Sequence, residues 1–415
     1  MPRDVMVLGV IAFCVAVGFG VLVPVLPVFA RSFGVDNFAV GAVVSVFALM
    51  RLVSAPFCGP MINRLGERLI LATGIFIVAI SSGLAGISRS YLQLLILRGV
   101  GGFGSAMFTV SATTLLLTAV EARLRGRAQG VFQAGFLIGG MTGPAVGGLL
   151  SAISLTAPFF FYAGTLLVAG TVGILMLHPG RRAATAKHEA AAVPLRQVLR
   201  DARYQAALAA NLAQGWTSFG VRMALVPVLV VEVLHRPTAW TGIAFAIASV
   251  AQTAAVGPAG RFVDTVGRRP ALIAGGVLAS ASILAVPYAP RLWVLIVALS
   301  AYGIAAAFLG TAPAATVGDV PGGRSGTPVA LFSMCSDVGA IVGPLAAGVL
   351  ADRVSYGAAF GLGAGLLLAA AAAALRMPRG VSPRESPQSQ PAETAEPQTG
   401  QPTRTEDHDE PTTAG

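Results

Sequence analysis

The chain contains 415 residues, of which 55% are hydrophobic and only 11% are charged, and its formal net charge is +10. Soluble domains carry about 25% charged residues, so this composition excludes an ordinary soluble protein. We therefore expect an integral membrane protein embedded in a lipid bilayer.

Six apolar segments in the first half of the chain are each long enough to cross a hydrocarbon core, which requires about 20 residues. They cover residues 5–30, 38–58, 69–87, 91–120, 128–155 and 157–177. The apolar run of the first segment exceeds the roughly 7 to 15 residues of a signal peptide, so we expect it to remain as a helix.

Six further apolar segments follow, at 204–233, 239–259, 271–289, 292–317, 328–351 and 355–375. The sequence thus predicts an all-α membrane protein with twelve transmembrane helices. We expect an N-terminal six-helix bundle at 1–177, a cytoplasmic linker at 178–203, a C-terminal six-helix bundle at 204–376 and a cytoplasmic tail at 377–415. The tail is rich in Pro, Gln, Thr, Ser and Glu and has little apolar surface to bury, which predicts disorder.

The basic residues predict the orientation of the spans. Of the 28 Lys and Arg residues, twenty lie in segments that face the cytoplasm if the N-terminus is inside, five lie in outer loops, and three lie within spans. The positive-inside rule therefore predicts a multi-pass protein of the cell membrane with both termini in the cytoplasm. Because the positive charge then reflects topology and attraction to an anionic leaflet, nucleic acid is not expected as a partner.

Catalytic chemistry is not indicated by the sequence. The four histidines lie in loops and in the tail without metal-ligand spacing, and no serine, histidine and aspartate arrangement stands out. The single lysine, Lys187, does not follow a glycine-rich phosphate-binding loop. We therefore expect neither an enzyme nor an ATP-driven pump, and no metal or other cofactor.

Two motifs occur once in each half of the chain. The fifth and eleventh predicted spans share four residues at an offset of 200, Gly139, Gly143, Pro144 and Gly148 with Gly339, Gly343, Pro344 and Gly348. The loops after the second and eighth spans align at an offset of 201, Gly59, Asn63, Gly66 and Arg68 with Gly260, Asp264, Gly267 and Arg269. Because an even number of spans separates the copies, the repeat predicts two pseudo-symmetric six-helix bundles related by an axis along the membrane normal.

These motifs resemble those of the major facilitator superfamily of transporters, and the resemblance covers residues 5–375. The two loops are similar to the family's G-x-x-x-D-x-x-G-R-K/R element, and RGVGGFGSA at 98–106 is similar to its R-x-x-x-G motif. GGMTGPAVGG at 139–148 resembles the G-x-x-x-G-P-x-x-G-G motif of the drug:proton antiporter branch. VPVLPVFA at 23–30 resembles the proline-containing end of the first helix of that branch.

The resemblance implies a secondary active transporter that works by alternating access. It implies a proton-coupled exporter of small amphipathic or drug-like molecules, so the expected partners are a small-molecule substrate, protons and the lipid bilayer, and the protein is expected to be a monomer. The alternative is an importer or facilitator of a small polar or anionic solute.

The glycines of the fifth span predict close helix packing. Gly139, Gly143 and Gly147 recur every four residues and form one stripe, and such stripes let neighbouring backbones touch in lipid. Pro144 removes the hydrogen bond to the Gly140 carbonyl and bends the helix. The resemblance implies that this ridge packs against the other bundle and resists proton leak, and the alternative is tight packing with no directional role.

The repeated loops predict a cytoplasmic latch. Gly66 and Gly267 permit a chain reversal, while the basic residues beside them meet headgroups and helix carbonyl ends; the gating candidates are Asn63, Arg64, Gly66, Arg68, Asp264, Gly267, Arg268 and Arg269. In the family an aspartate of this element latches the cytoplasmic side shut. Asn63 replaces that aspartate in the first copy, so we expect a weaker latch there. The alternative is that these loops only anchor the topology.

Charges within spans are costly and point to function. Asp337 is the one acid placed deep in a span, and its protonation would depend on which of Arg98, Arg222 or Arg51 lies nearby, as a proton-coupled switch requires. The alternative is a permanent ion pair that packs the eleventh helix. Glu232 is a second proton-coupling candidate, and the resemblance assigns Arg98 a role in influencing or relaying the proton.

Polar side chains within the spans give candidates for a substrate cavity. Arg51 has Gln252 as its counterpart at the 201 offset, so the repeat loses its symmetry there. The cavity candidates are Arg51, Gln133, Asn211, Gln214, Trp216 and Gln252. The alternative for each is a hydrogen bond that only holds helices together.

Overall fold

The computed structural model describes residues 2–120, 124–177, 194–321 and 326–378, and regular secondary structure in these ranges is helical throughout. Within these ranges, twelve helical segments are long and apolar enough to cross a membrane, which confirms the predicted number of spans. Residues 178–193 of the predicted linker, and residues 379–415 of the predicted tail, lie outside the described part of the chain.

Seven helices make up the first half of the chain. They are α1 (Arg3–Leu22), α2 (Leu26–Arg31), α3 (Asn37–Leu65), α4 (Glu67–Ala85), α5 (Tyr91–Thr118), α6 (Arg125–Ile153) and α7 (Ala157–Met176). The predicted first span is thus two helices, with the break at Val23–Val25 where Pro24 lies. Helix α3 continues seven residues beyond the predicted end of its span, because the polar stretch that follows remains helical as far as Gly66.

The second half begins with a short helix in the predicted linker, α8 (Leu195–Arg200). The seventh span consists of α9 (Ala202–Gly215), a π-helical segment (Trp216–Leu225) and α10 (Val226–Glu232). The remaining helices are α11 (Thr238–Thr265), α12 (Arg268–Ala285), α13 (Leu292–Asp319), α14 (Gly326–Arg353) and α15 (Tyr356–Leu375).

Local chemistry explains several of these boundaries. Asp36 and Ser355 cap α3 and α15, because their side-chain oxygens accept hydrogen bonds from the backbone N–H groups of Ala39 at 2.8 Å and Ala358 at 3.1 Å. Gly66 and Gly267 follow α3 and α11 with positive φ angles of 85° and 119°. These angles are accessible to glycine at little cost, so the predicted reversals are confirmed at both loops.

Two large hydrophobic cores hold the helices together. One is formed mainly by the first half, with three residues of the seventh span added to it, and the other lies in the second half with Val23 packed against it. Many large apolar side chains, among them Leu149, Ile153 and Leu175, are exposed on the surface of the protein. Exposed apolar side chains on spanning helices suit contact with lipid tails.

The glycine stripe of α6 packs inside its own half. A Cβ added at Gly139 would lie 2.6 Å from the Phe13 carbonyl oxygen, and one at Gly143 would lie 2.7 Å from Gly20 Cα, both in α1. The expectation that this ridge contacts the other bundle is therefore wrong. Successive residues of a helix point about 100° apart around its axis, so Gly147 and Gly148 face different neighbours. Gly147 faces α1, and Gly148 is the glycine that contacts the second half.

Two antiparallel helix pairs join the halves, α3 with α14 and α6 with α11. A Cβ added at Gly148 would lie 3.0 Å from Gly242 Cα, and one at Gly348 would lie 2.5 Å from the Asn37 carbonyl oxygen. Gly41 similarly contacts the Pro344 carbonyl. The absence of side chains at these positions lets the two halves meet backbone to backbone.

Candidate functional site

The two halves are closed at one end. We call this the outer end; α3 begins there and α14 ends there. Arg31 Nε donates to Glu232 Oε1 at 2.6 Å, which joins α2 to α10. Asp352 Oδ1 accepts from the Asn37 backbone N–H at 3.1 Å and from its side-chain amide at 2.7 Å, and Oδ2 accepts from the Phe38 N–H at 2.9 Å. A carboxylate of the second half therefore caps the N-terminus of a helix in the first half.

The same helix pairs part at the opposite, inner end. Gly130 lies 18 residues before Gly148 in α6, and Gly260 lies 18 residues after Gly242 in α11. Because 18 residues make about five complete turns, these glycines share a helix face with the pair that touches at the outer end. A Cβ added at either residue, or at Gly59 five turns along α3 from Gly41, would have no atom of another described helix within 4 Å. In the part of the chain that the structure describes, the two halves therefore meet at the outer end and part at the inner end.

A cavity of about 550 Å³ lies between the two halves. Ligand pockets typically enclose about 300 to 1,000 Å³, so this volume suits one small molecule. Its aromatic lining is Phe19, Phe47, Phe108, Phe136, Tyr162, Phe219 and Phe245. The charged residues of the lining are Arg51, Arg98 and Arg222.

Asp337 is paired with Arg51. The two side chains form a hydrogen-bonded ion pair between α14 and α3, and Ser45 Oγ donates to the Ile341 carbonyl at 2.7 Å about one to two turns closer to the outer end. The Arg51 and Asp337 side chains are 34% and 25% exposed, so water reaches both from the open cleft. Of the three candidate partners Arg51, Arg98 and Arg222, it is therefore Arg51 that pairs with Asp337.

Arg98 and Arg222 are held by aromatic rings. The Arg98 guanidinium lies 4.4 Å from the centroid of Phe47, and that of Arg222 lies 5.5 Å from Phe245 and 5.6 Å from Tyr302. Arg98 is only 3% exposed, and the Nε atoms of both arginines have no hydrogen-bond partner among the described residues. Cation–π contacts contribute about 0.5 to 2 kcal/mol, against about 2.5 to 3.5 kcal/mol for inserting an arginine at mid-membrane. The rings therefore compensate these charges only in part.

The other predicted cavity residues have different positions. Gln133 lines the cavity with Arg51, but the other four are not among its described lining residues. Asn211 donates to the Phe332 carbonyl at 2.6 Å in α14, and Gln214 Oε1 accepts from the Tyr302 hydroxyl at 3.4 Å in α13, so both hold the seventh span to its neighbours. The backbone of Trp216 packs against Gly343, and the backbone N of Gln252 lies beside Gly303, so the helices meet closely at these two positions.

The repeated loops bind within their own halves. Arg68 donates to the Ile174 carbonyl near the end of α7, and Arg268 donates to the Val263 carbonyl at 3.0 Å near the end of α11. Arg268 Nε also lies 2.8 Å from Asp319. These contacts place cations at helix C-termini, where the helix dipole favours them.

The predicted latch residues make no contact across the open cleft within the described residues. Asp264 lies 3.6 Å from Arg268 in its own loop, with its side chain 75% exposed. Asn63 and Arg64 are exposed at the end of α3, and Arg269 is half-buried beside Arg268. The open inner end explains why these residues do not touch the other half. A latch of this kind would form only in a state in which the two halves meet at the inner end.

The outer-end contacts were not predicted, although the sequence carries a signal for one of them. Glu232 is a proton-coupling candidate from the sequence, and it lies 201 residues after Arg31, which is the repeat offset of the two cytoplasmic loops. The hydrogen bond to Glu232 raises the pKa of the Arg31 guanidinium. Asp352 and the aromatic partners Phe47 and Phe245 carry no comparable signal.

Comparisons with known proteins agree with this architecture. A family model described as Major Facilitator Superfamily matches residues 8–251 and 208–406. A crystal structure of a bacterial homologue of the human lysosomal transporter Spinster, inward-facing and unoccupied, superposes with a TM-score of 0.69 at 15% identity, covering 90% of this chain and 94% of that one. This likeness confirms the fold class of twelve helices in two pseudo-symmetric six-helix bundles.

The relatives that are similar in sequence include a quinolone resistance protein and an amine transporter. The quinolone resistance protein NorA of Staphylococcus aureus is 26% identical over 185 residues, which cover 45% of this chain and 48% of NorA. The synaptic vesicular amine transporter of Bos taurus is 27% identical over 329 residues, which cover 77% of this chain and 62% of that protein. The chain thus matches about half of the length of NorA and less than two thirds of the amine transporter.

Proposed function

Because the chain belongs to the major facilitator superfamily of membrane transporters, we propose that it exports small amphipathic molecules in exchange for protons by alternating access. The cell membrane is the proposed location, with both termini in the cytoplasm, and a single chain is the proposed working unit. In this orientation the open inner end faces the cytoplasm, from which an exporter takes its substrate.

The observation that carries the proposal is the cavity between two halves that touch at one end and part at the other. Glycine contacts and polar pairs close the outer end, while the matching helix faces five turns away are free. Rocking the halves about the cavity would exchange these two arrangements. The aromatic lining suits molecules with an apolar body.

The Arg51–Asp337 pair is the proposed point of proton coupling. It joins α3 to α14 beside the open cleft, and both side chains are reached by water. Protonation of Asp337 would remove its charge and so weaken the ion pair between the halves. Proton movement is coupled to the change of state if Asp337 is protonated in the outward-open state and is ionised and paired with Arg51 in the inward-open state. Arg98 lies in the same cavity, where its charge would act on the proton.

Flux in proteoliposomes tests direction and coupling together. The probes are naphthalene-2-sulfonate and (2-naphthylmethyl)trimethylammonium, whose permanent charges limit passive leakage. With a lumen one pH unit more acidic than the bath, and with potassium and valinomycin to hold the membrane potential at zero for both the anionic and the cationic probe, a one-to-one antiporter concentrates its substrate inside by up to about tenfold, and an uncoupler removes the effect. Accumulation only with an alkaline lumen would indicate the alternative importer, and equilibration without accumulation would indicate a facilitator.

Asp337→Asn is expected to abolish proton-driven accumulation while downhill exchange of the same probe continues. The amide keeps the shape of the side chain but cannot bind and release a proton as a carboxylate can, so the switch is lost. Glu67→Gln is the matched control, because Glu67 is a carboxylate in the first turn of α4 outside the cavity. Full accumulation by Asp337→Asn would refute this residue as the coupling site.

A further inference from the structure

Building on the proposed transport function, we propose that the preferred substrate is an amphipathic organic anion. Its carboxylate, sulfonate or phosphate group would be bound by Arg98 and Arg222, and its apolar body would lie among the aromatic residues of the cavity. The charge balance, the geometry of the two arginines and the remaining lining each support this assignment.

The charge balance of the cavity is positive. Its charged lining residues are Arg51, Arg98 and Arg222, with no carboxylate among the described lining residues. Asp337 compensates Arg51. No described carboxylate lies within ion-pair distance of the other two arginines. Two guanidinium charges thus remain for a ligand, and a cationic ligand would add a third charge of the same sign in a site of low dielectric.

Both arginines have a hydrogen-bond donor without a partner in the described part of the chain. Each half supplies one of these residues, and each guanidinium lies over a phenylalanine ring of its own half, Arg98 over Phe47 and Arg222 over Phe245. A ring contact of this kind satisfies none of the five N–H donors of a guanidinium with an acceptor oxygen. The Nε atoms of both residues are buried, and no described group accepts a hydrogen bond from them. Buried unpaired donors of this kind fit the oxygens of a carboxylate, sulfonate or phosphate.

The backbone around Arg222 supports a role in binding. Arg222 lies in the π-helical segment Trp216–Leu225, between the ordinary helices α9 and α10. Such segments are uncommon and frequently occur at functional sites. Arg98 lies in the uninterrupted helix α5. A ligand bound between Arg98 and Arg222 would therefore contact both halves, so its binding would depend on their relative position.

The remaining lining suits an apolar body. Phe19, Phe108 and Phe136 surround the same space as the two arginines, together with Val15 and Met223. An inorganic anion would leave these side chains without a partner. A naphthalene ring with one sulfonate group matches both parts of the site, and its trimethylammonium analogue matches only the apolar part.

Equilibrium binding to the purified full-length protein in a non-ionic detergent tests the charge preference without requiring transport. Fluorescence anisotropy of the two naphthalene probes gives their dissociation constants. We expect the sulfonate to bind at least about tenfold more tightly than the trimethylammonium analogue. Equal binding, or tighter binding of the cation, would overturn the inference.

Variants assign the preference to the two arginines. Arg98→Gln and Arg222→Gln are each expected to weaken sulfonate binding by about tenfold or more, while cation binding stays the same or improves. Arg89→Gln is the matched control, because it removes one positive charge from an exposed loop away from the cavity. Unchanged sulfonate affinity in both cavity variants would overturn the inference.

Two further measurements keep the result unambiguous. Thermal unfolding checks that each variant is folded, and if Arg98→Gln does not fold, Arg222→Gln decides between the outcomes alone. Tight sulfonate binding without proton-driven flux would refute the proposed transport function and leave the anion site standing. Proton-driven flux of the cation, with weak sulfonate binding, would support transport and refute the anion site.

Discussion

Replacing Asp352 by asparagine is expected to release the outer end and shift the protein towards its outward-open state. Asp352 accepts three hydrogen bonds from Asn37 and Phe38 across the two halves. An asparagine has one acceptor oxygen, and its amide group would face an N–H donor. Hydrogen bonds to charged groups contribute about 1.5 to 3 kcal/mol, so the ratio of the two states should change by about 10- to 100-fold.

Spin labels at Arg89 and Arg291 measure this shift. Both residues lie in exposed loops at the outer end, one in each half, and the three native cysteines are replaced before labelling. We expect a longer distance population in Asp352→Asn. Asp36→Asn is the control, because Asp36 caps the same helix through Ala39 within its own half. The role of the cross-half cap would be refuted by equal distance distributions in Asp352→Asn and wild type.

Adding bulk at Gly148 is expected to prevent closure of the outer end. A Cβ there would already lie 2.8 Å from the Ala239 carbonyl oxygen and 3.0 Å from Gly242 Cα, and valine adds two methyl groups. Overpacking typically costs about 1 to 3 kcal/mol, but parting the halves relieves it. Gly148→Val should therefore populate the outward-open distance in the same spin-label experiment and leave the unfolding temperature nearly unchanged.

Two other glycines of the same ten-residue motif provide the contrast. Gly143→Val is expected to lower the unfolding temperature by several degrees, because the new side chain meets α1 at Val17 and Gly20, and no rocking motion relieves that clash. Gly140→Val should change neither the distances nor the unfolding temperature, since no atom lies within 4 Å of an added Cβ. If Gly148→Val and Gly143→Val behave alike, the separation of roles within the motif is incorrect.

Much of the fold follows from rules that act locally. Spans are recognised because about 20 apolar residues are needed to cross a bilayer, and the reversals at Gly66 and Gly267 follow because their φ angles suit glycine. The repeated motifs also relate distant parts of the chain, because two copies of a motif are expected at equivalent positions of the two six-helix bundles. These features could be predicted without coordinates.

The site was less predictable, because it depends on how helices are rotated against each other. Gly147 and Gly148 are neighbours in sequence, yet one faces α1 and the other faces α11. Spacing alone did not decide which of three arginines pairs with Asp337. The widening of the seventh span into a π-helix between Trp216 and Leu225 has no signal in the hydrophobic pattern.

The pair formed by Arg31 and Glu232 also bears on how such a chain can arise. Residues at equivalent positions of two repeats touch one another only near the axis that relates the repeats. In a dimer of two identical six-helix subunits, that position would meet its own copy, so an arginine would face an arginine and a glutamate a glutamate. Attraction at this point therefore requires two copies that differ in sequence, as the two halves of this chain do.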